Sequence, residues 1–110
     1  MERQSKNEKL LQYFKDICRI PRQTGDEEAI SQYLLDFAKA RGLQAERDAH
    51  HNVLIRKPST IPGYKGPTVI VQGHMDIVYE KSADSTHKYE DGIHVGEEDG
   101  YLKSADGTSL

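Results

Sequence analysis

The stretch that decides the predicted fold reads Thr68-Val69-Ile70-Val71-Gln72-Gly73-His74-Met75-Asp76. Its first half is a continuous, mostly β-branched run, which is typical of a strand that other layers cover on both faces. A polar motif follows where that strand would end. Ligands bind outside the carboxyl ends of strands in open α/β sheets, so we expect the chemistry of this chain at Gly73–Asp76.

The motif predicts a metal-binding histidine with an orienting acid. In extended backbone, residues two apart project to the same side, so His74 and Asp76 are expected to be neighbours. A carboxylate that accepts one imidazole N–H fixes the tautomer and raises the basicity of the other nitrogen. Gly73 would let the backbone turn sharply or let another group approach closely.

The spacing alone is a weak signal for a metal site. With five His and nine Asp in 110 residues, chance supplies a His-x-Asp about 0.4 times. A zinc site also needs three or four protein ligands, and His74 is only one. The remaining ligands must therefore come from elsewhere.

Two amphipathic helices are predicted upstream of this stretch. The first covers roughly residues 6–19, with a capping box at Ser5–Glu8, and Pro21 stops it. The second follows a capping box at Thr24–Glu27, and Gly42 fits its C-terminal cap. Its apolar face repeats at helical spacing in Ile30, Tyr33, Leu34, Phe37 and Ala38.

Short strands complete the predicted fold, which is α/β: two helices followed by a mixed or mainly parallel sheet. Alternation from Leu43 and a β-branched run at Asn52–Arg56 predict two strands, as an adjacent pair. The proline- and glycine-rich segment Pro58–Pro67 predicts a surface loop. Glu97–Gly100 predicts the turn of a small hairpin.

Composition excludes several function classes. The net charge is −3, from 15 Lys and Arg against 18 Asp and Glu, which argues against nucleic acid or an anionic membrane as partner. No apolar run approaches the roughly 20 residues that cross a bilayer. A single cysteine, Cys18, permits no internal disulfide, and the N-terminus shows no secretory signal. A cytoplasmic location is the simplest interpretation.

The other reactive side chains are interpreted as structural. Cys18 lies on an apolar helix stripe and is predicted to be a buried, inert thiol. His50 and His51 indicate a solvated turn, and His87 and His94 lie in polar, irregular surroundings. Glutamates at the start of the second helix complement its dipole, and the acidic run Glu97–Asp99 is a solvated turn.

Residues beyond one motif carry a family resemblance. The run Gln72–Val78 resembles the His-x-Asp-x-Val motif of the co-catalytic zinc exopeptidase family, which includes aminoacylase, carboxypeptidase G and carnosinase-type enzymes. Within that family the chain most resembles the bacterial aminoacyl-histidine dipeptidases. The likeness spans essentially all 110 residues, in the segments Ile20–Arg22, Phe37–Gly42, Asn52–Pro58, Pro67–Gln72 and Gly107–Leu110.

The resemblance implies a hydrolase that cleaves Xaa-His-type dipeptides with metal-activated water. It implies two divalent zinc ions in the parent enzyme, His74 as a ligand of one, and Asp76 as the catalytic-site acid that orients His74. The bridging aspartate, the catalytic glutamate and the other ligands would lie beyond Leu110, since Asp106 does not match the bridging position. We therefore expect residues 1–110 to be an incomplete N-terminal portion of the catalytic domain, inactive alone and without stably bound zinc.

The expected partners are a dipeptide substrate and a second copy of the chain in a homodimer, with neither nucleic acid nor membrane. One alternative stays open at this point. The chain would then be a non-enzymatic α/β binding domain, complete at this length, in which the His-x-Asp spacing is a coincidence.

Overall fold

The computed structural model describes residues 2–110, with side chains from Asn7 onward. Its elements are, in chain order, α1 (Glu2–Cys18), α2 (Glu28–Ala40), β1 (Gln44–Arg47), β2 (Val53–Arg56), a 3-10 turn (Tyr89–Asp91), β3 (Val95–Glu98) and β4 (Tyr101–Ser104). The predicted α/β class is confirmed. Within residues 2–110 no helix is both long and apolar enough for a membrane crossing.

The strands form two small antiparallel sheets, and not the mixed or mainly parallel sheet that was predicted. Strands β1 and β2 pair antiparallel, and so do β3 and β4. Parallel pairing among residues 2–110 is limited to one bridge, between Gln23 and Ile77. The short connections explain this, because adjacent strands joined by a tight turn must run antiparallel.

Helix α1 differs from its prediction mainly at its start. It begins at Glu2, four residues before the predicted start, and the side chain of Ser5 in the predicted capping box lies outside the described side chains. The helix ends at Cys18, close before Pro21, whose ring cannot continue it. Cys18 is buried, as predicted.

Helix α2 ends as predicted but starts differently. At its end Gly42 has a φ of +67°, its N–H donates to the carbonyl of Lys39, and the N–H of Leu43 donates to that of Ala38. This is the Schellman arrangement that glycine permits. The predicted capping box at the start is wrong, because the N-cap residue is Glu27 and no side chain caps the helix.

The helix α2 packs against the β1–β2 hairpin and buries Ile30, Ser31 and Ala38. The guanidinium of Arg47 on β1 donates to the hydroxyl of Ser31 at 3.0 Å. The ring of Phe37 on this helix meets that of Tyr13 on α1 edge to face at 5.4 Å. Helix α2 therefore contacts both the β1–β2 hairpin and helix α1.

The β3–β4 hairpin forms as predicted. Asp99 and Gly100 both have positive φ, at 52° and 79°, which is the twist that a two-residue hairpin turn requires. The chain just before this hairpin docks on the end of α1, where the N–H of Ile93 donates to the carbonyl of Cys18 at 2.8 Å. This contact links the C-terminal hairpin to the first helix.

The predicted buried strand at Thr68–Gln72 is wrong. Val69, Ile70 and Val71 are 81%, 84% and 94% exposed, and the segment pairs with no strand among residues 2–110. A β-branched run becomes a strand only where a neighbour accepts its backbone hydrogen bonds and covers its side chains. The part of the chain described here supplies neither.

Candidate functional site

The structure brings His74 and Asp76 together, as their spacing predicts. Nδ1 of His74 lies 3.1 Å from Oδ1 of Asp76. A carboxylate only accepts, so Nδ1 carries the proton, and in the neutral imidazole Nε2 then has the lone pair. The imidazole is 81% exposed and the Asp76 side chain 27%, so the free nitrogen is accessible while its orienting acid is partly covered.

The loop between the helices holds this motif through its backbone. The N–H of Ile77 donates to the carbonyl of Arg22 at 3.0 Å, and the N–H of Thr24 donates to the carbonyl of Ile77 at 3.1 Å. These bonds form the parallel bridge between Gln23 and Ile77. The motif is therefore tied to residues more than fifty positions earlier.

Two side chains of the same loop reach the motif, and the sequence did not predict either contact. Thr24 Oγ1 donates to Oδ2 of Asp76 at 2.6 Å, and Arg22 Nη1 donates to the carbonyl of Met75 at 3.2 Å. Local spacing contains no signal for pairs this far apart, and the capping-box pattern pointed Thr24 to a different role. The hydroxyl that would have capped α2 instead supports Asp76.

The electrostatics of the pair follow from these contacts. Hydrogen bonds from Thr24 and then from His74 hold the pKa of the Asp76 carboxyl below its ordinary value of 3.8. Asp76 is therefore ionised at neutral pH and able to hold the Nδ1 proton of His74. This arrangement orients the ring of His74.

Arg22 and Cys18 form a buried pair beside the motif. Arg22 is buried, and its Nη2 lies 4.0 Å from the sulfur of Cys18. Burial raises the pKa of the Cys18 thiol, and the nearby Arg22 only partly offsets that effect. The thiol form is favoured, which fits the predicted inert cysteine.

His87 lies in an irregular segment among polar groups, as predicted, and its side chain is buried. Its Nε2 lies 2.6 Å from the carbonyl of Gly92, and its Nδ1 lies 2.7 Å from the hydroxyl of Tyr79. A carbonyl only accepts, so Nε2 donates, and in the neutral imidazole Nδ1 accepts from the hydroxyl. Both nitrogens serve the packing of the segment, and neither is free for a ligand.

A second His–Asp pair closes the base of the β3–β4 hairpin. Nδ1 of His94 lies 2.7 Å from Oδ2 of Asp106, twelve residues later. The hairpin register brings these flanking residues close, and this is the signal that could have revealed the pair. The polar cavity bordered by His94 and Asp106 does not include His74 or Asp76.

The remaining candidates are turn residues. His50 is exposed, as predicted, and lies in a turn organised by Asp48, while His51 is partly buried with a φ of +68°. Gly73 does not have the predicted role, because a Cβ there would meet nothing within 4 Å and its φ lies outside the left-handed region. Its conformation would accept other residues.

The residues present fit one ligand of a metal centre. An imidazole whose second nitrogen is held by a carboxylate is the donor arrangement of many metal-binding histidines, and zinc accepts such a nitrogen. Among the side chains that the structure describes, from Asn7 onward, no three His, Cys, Asp or Glu come close enough to hold a metal ion. His74 therefore supplies a single, oriented donor.

Fold and sequence relate this chain to the dipeptidases, which confirms the resemblance predicted from the sequence. A cytosol non-specific dipeptidase of Escherichia coli (strain K12) is 36% identical over 101 residues, or 92% of this chain and 21% of the relative. The crystal structure of aminoacylhistidine dipeptidase from Vibrio alginolyticus superposes with a TM-score of 0.80 at 32% identity, covering 86% of this chain and 20% of that one. No protein-family model matches.

The chain thus spans about a fifth of the length of these relatives. Similarity covers nearly all of the chain but only a small part of each relative. The activity of the full-length relatives is therefore a proposal for this chain and not a finding.

Proposed function

We propose that residues 1–110 form an N-terminal portion of the catalytic domain of a metal-dependent dipeptidase, to which they contribute His74 and Asp76. The observation that carries this proposal is the oriented, exposed imidazole of His74 in a chain similar to dipeptidases. We further propose zinc as the metal, in a centre of two ions whose other ligands lie outside these residues. The isolated 110-residue chain is then inactive and retains no stoichiometric zinc at micromolar metal.

Each residue of the motif has a distinct task in this proposal. His74 would hold a metal ion through Nε2, and the metal when bound would polarise the scissile carbonyl and activate water. Oδ1 of Asp76 accepts the Nδ1–H of His74, with 3.1 Å between nitrogen and oxygen, and so fixes the ring and its tautomer. Arg22 and the backbone bridge at Ile77 fix the segment that carries both.

The proposed substrates are dipeptides of the Xaa-His type. The name of the structural relative from Vibrio supports the histidine at the second position, whereas the Escherichia relative is named non-specific. Comparing alanyl-histidine with alanyl-alanine separates the two: a preference for the first supports Xaa-His specificity. Equal kcat/KM values would support the broader activity.

The test of function compares variants of the complete gene product loaded with zinc. His74→Ala should abolish dipeptide hydrolysis, and Asp76→Ala should lower metal affinity or activity by roughly 10–100-fold. His50→Ala, which removes another exposed imidazole, is the matched control and should retain the wild-type rate. Absence of hydrolysis by the metal-loaded wild type would overturn the proposal in favour of a binding domain.

A cytoplasmic location and a homodimer complete the proposal. The first is supported by the cytosolic relative and by the single, buried Cys18, which forms no disulfide. The second is supported by the uncharged, exposed run Val69–Val71, which offers unpaired backbone to a second copy. Sedimentation equilibrium tests the dimer.

A further inference from the structure

We propose that Thr24 is a positioning residue of this site: its hydroxyl fixes the carboxylate of Asp76 and thereby the tautomer and orientation of His74. This inference rests on the proposed function only for its consequence in catalysis. The contacts of Thr24 with Asp76, and of Asp76 with His74, are present in this chain whatever its activity. It assigns a role to a side chain in the loop that joins α1 to α2.

The geometry gives each oxygen of the carboxylate one donor. Oδ2 of Asp76 accepts from Thr24 Oγ1 at 2.6 Å, and Oδ1 lies 3.1 Å from Nδ1 of His74. A carboxylate held at one oxygen alone can rotate about its terminal torsion, which is broad for this residue type. Held at both oxygens, its plane is fixed, and the direction in which it accepts the imidazole proton is fixed with it.

The hydroxyl is itself well placed, because the backbone of its own residue is bonded to the motif. The N–H of Thr24 donates to the carbonyl of Ile77 at 3.1 Å, one residue beyond Asp76. Its Oγ1 also lies 3.5 Å from the same carbonyl oxygen. Main chain and side chain of Thr24 therefore contact two successive residues, and the donor has little freedom to leave.

Thr24 performs no competing role that would explain its hydroxyl. The helix α2 that follows has no side-chain cap, and the N–H of Gly25 is bonded instead by Oε1 of Glu27 at 2.8 Å. Asp26, the other acid of this loop, accepts from the hydroxyl of Tyr89 at 2.7 Å. The hydroxyl of Thr24 therefore serves to hold Asp76 and does not cap helix α2.

The test compares Thr24→Val, which keeps the shape and removes the donor, with Thr24→Ser, which keeps the donor. Thr60→Val is the matched control, because Thr60 is exposed and its side chain makes no hydrogen bond to the side chains and backbone described from Asn7 onward. In the complete gene product with zinc, Thr24→Val should lower kcat/KM by about 10–100-fold, the range expected when a group that orients a metal ligand is lost. Thr24→Ser should restore most of it, and Thr60→Val should match the wild type.

A second readout needs neither metal nor activity. Nitrogen-15 NMR of the metal-free protein reports which ring nitrogen of His74 carries the proton. The Nδ1–H tautomer should dominate in the wild type and in Thr24→Ser, and its population should fall in Thr24→Val. If Thr24→Val keeps the wild-type tautomer and the wild-type kcat/KM, the inference is wrong.

The two proposals fail in different ways. A wild-type protein without dipeptidase activity overturns the proposed function, while the tautomer comparison still decides the role of Thr24. An active wild type with an unchanged Thr24→Val variant overturns only the inference about Thr24. A loss in Thr24→Val that Thr24→Ser does not restore points to packing of the methyl group and also overturns it.

Discussion

A single carboxylate, that of Asp48, organises the turn between β1 and β2. Its Oδ1 accepts from the N–H groups of His50 and Asn52, both at 2.9 Å, and its Oδ2 accepts from the side-chain amide of Asn52 at 2.8 Å. These bonds, the Asn52 side chain first, hold the pKa of the Asp48 carboxyl below its ordinary value of 3.8. The turn that joins β1 to β2 therefore depends on an ionised Asp48.

The pH dependence of that turn follows from the direction of this shift. A carboxyl whose pKa is lowered by folding contributes stability above its ordinary pKa, and loses it as the pH falls through the lowered value. Asn52→Ala should raise the pKa of Asp48 towards 3.8, so that protonation begins at a higher pH. A carbon-13 titration of the Asp48 carboxyl measures this, with Gln72→Ala as control; an unchanged midpoint in Asn52→Ala would contradict the assignment.

At the residue level, the sequence predicted contacts between neighbours and missed distant ones. His74 and Asp76 are two apart, so extended geometry alone brings them together. Thr24 and Asp76 are 52 apart, and only the tertiary bridge at Ile77 joins them. The same limit explains the wrong capping box, because a hydroxyl bonded to a distant carboxylate no longer caps its own helix.

Elements formed as predicted where their determinants are local. The Schellman end of α2 at Gly42 and the turn at Asp99 and Gly100 need only a residue that accepts positive φ. The segment Thr68–Gln72 has the composition of a buried strand. It would need an adjacent strand to pair with, and the described residues do not provide one. Strand propensity describes fit to a sheet, so it cannot show whether the sheet is present.

Hydrogen exchange measures that difference directly. In the 110-residue chain, the amides of Val69, Ile70 and Val71 should exchange at the rate of unstructured peptide, because they have no acceptor among the described residues. The amide of Ile77 is the internal control, since it donates to the carbonyl of Arg22 and should be slower. Protection of Val69–Val71 that rises with protein concentration would reveal pairing with a second copy.

The whole molecule exposes more surface than a compact protein of the same mass. Its accessible area is 8911 Å², whereas a compact monomer of 12.4 kDa exposes about 6,100 Å². Its radius of gyration is 16.8 Å, against about 13 Å for a compact chain of similar length. The buried apolar side chains in the described part are few, namely Cys18, Ile30, Ala38 and Ile93. Each contact between distant segments therefore has a large share in stability.

The contact most sensitive to one added methyl group is that between Gly92 and the end of α1. Gly92 has a φ of +70°, and a Cβ there would lie 2.2 Å from the carbonyl oxygen of Arg19, which is backbone and cannot rotate away. Gly92→Ala should therefore lower the free energy of unfolding by about 2–4 kcal/mol, from left-handed strain together with the clash. It should also separate Ile93 from Cys18, which are joined by a 2.8 Å hydrogen bond.

Gly73→Ala makes the same chemical change where nothing lies within 4 Å and the backbone is not left-handed. It should alter the free energy of unfolding by less than about 1 kcal/mol. Urea unfolding followed by circular dichroism compares the two variants with the wild type. Because both add one methyl group to the chain, a difference between them reports the left-handed backbone of Gly92 and its packing at Arg19, and not a general effect of replacing glycine. Equal midpoints would contradict the docking of the C-terminal hairpin on α1.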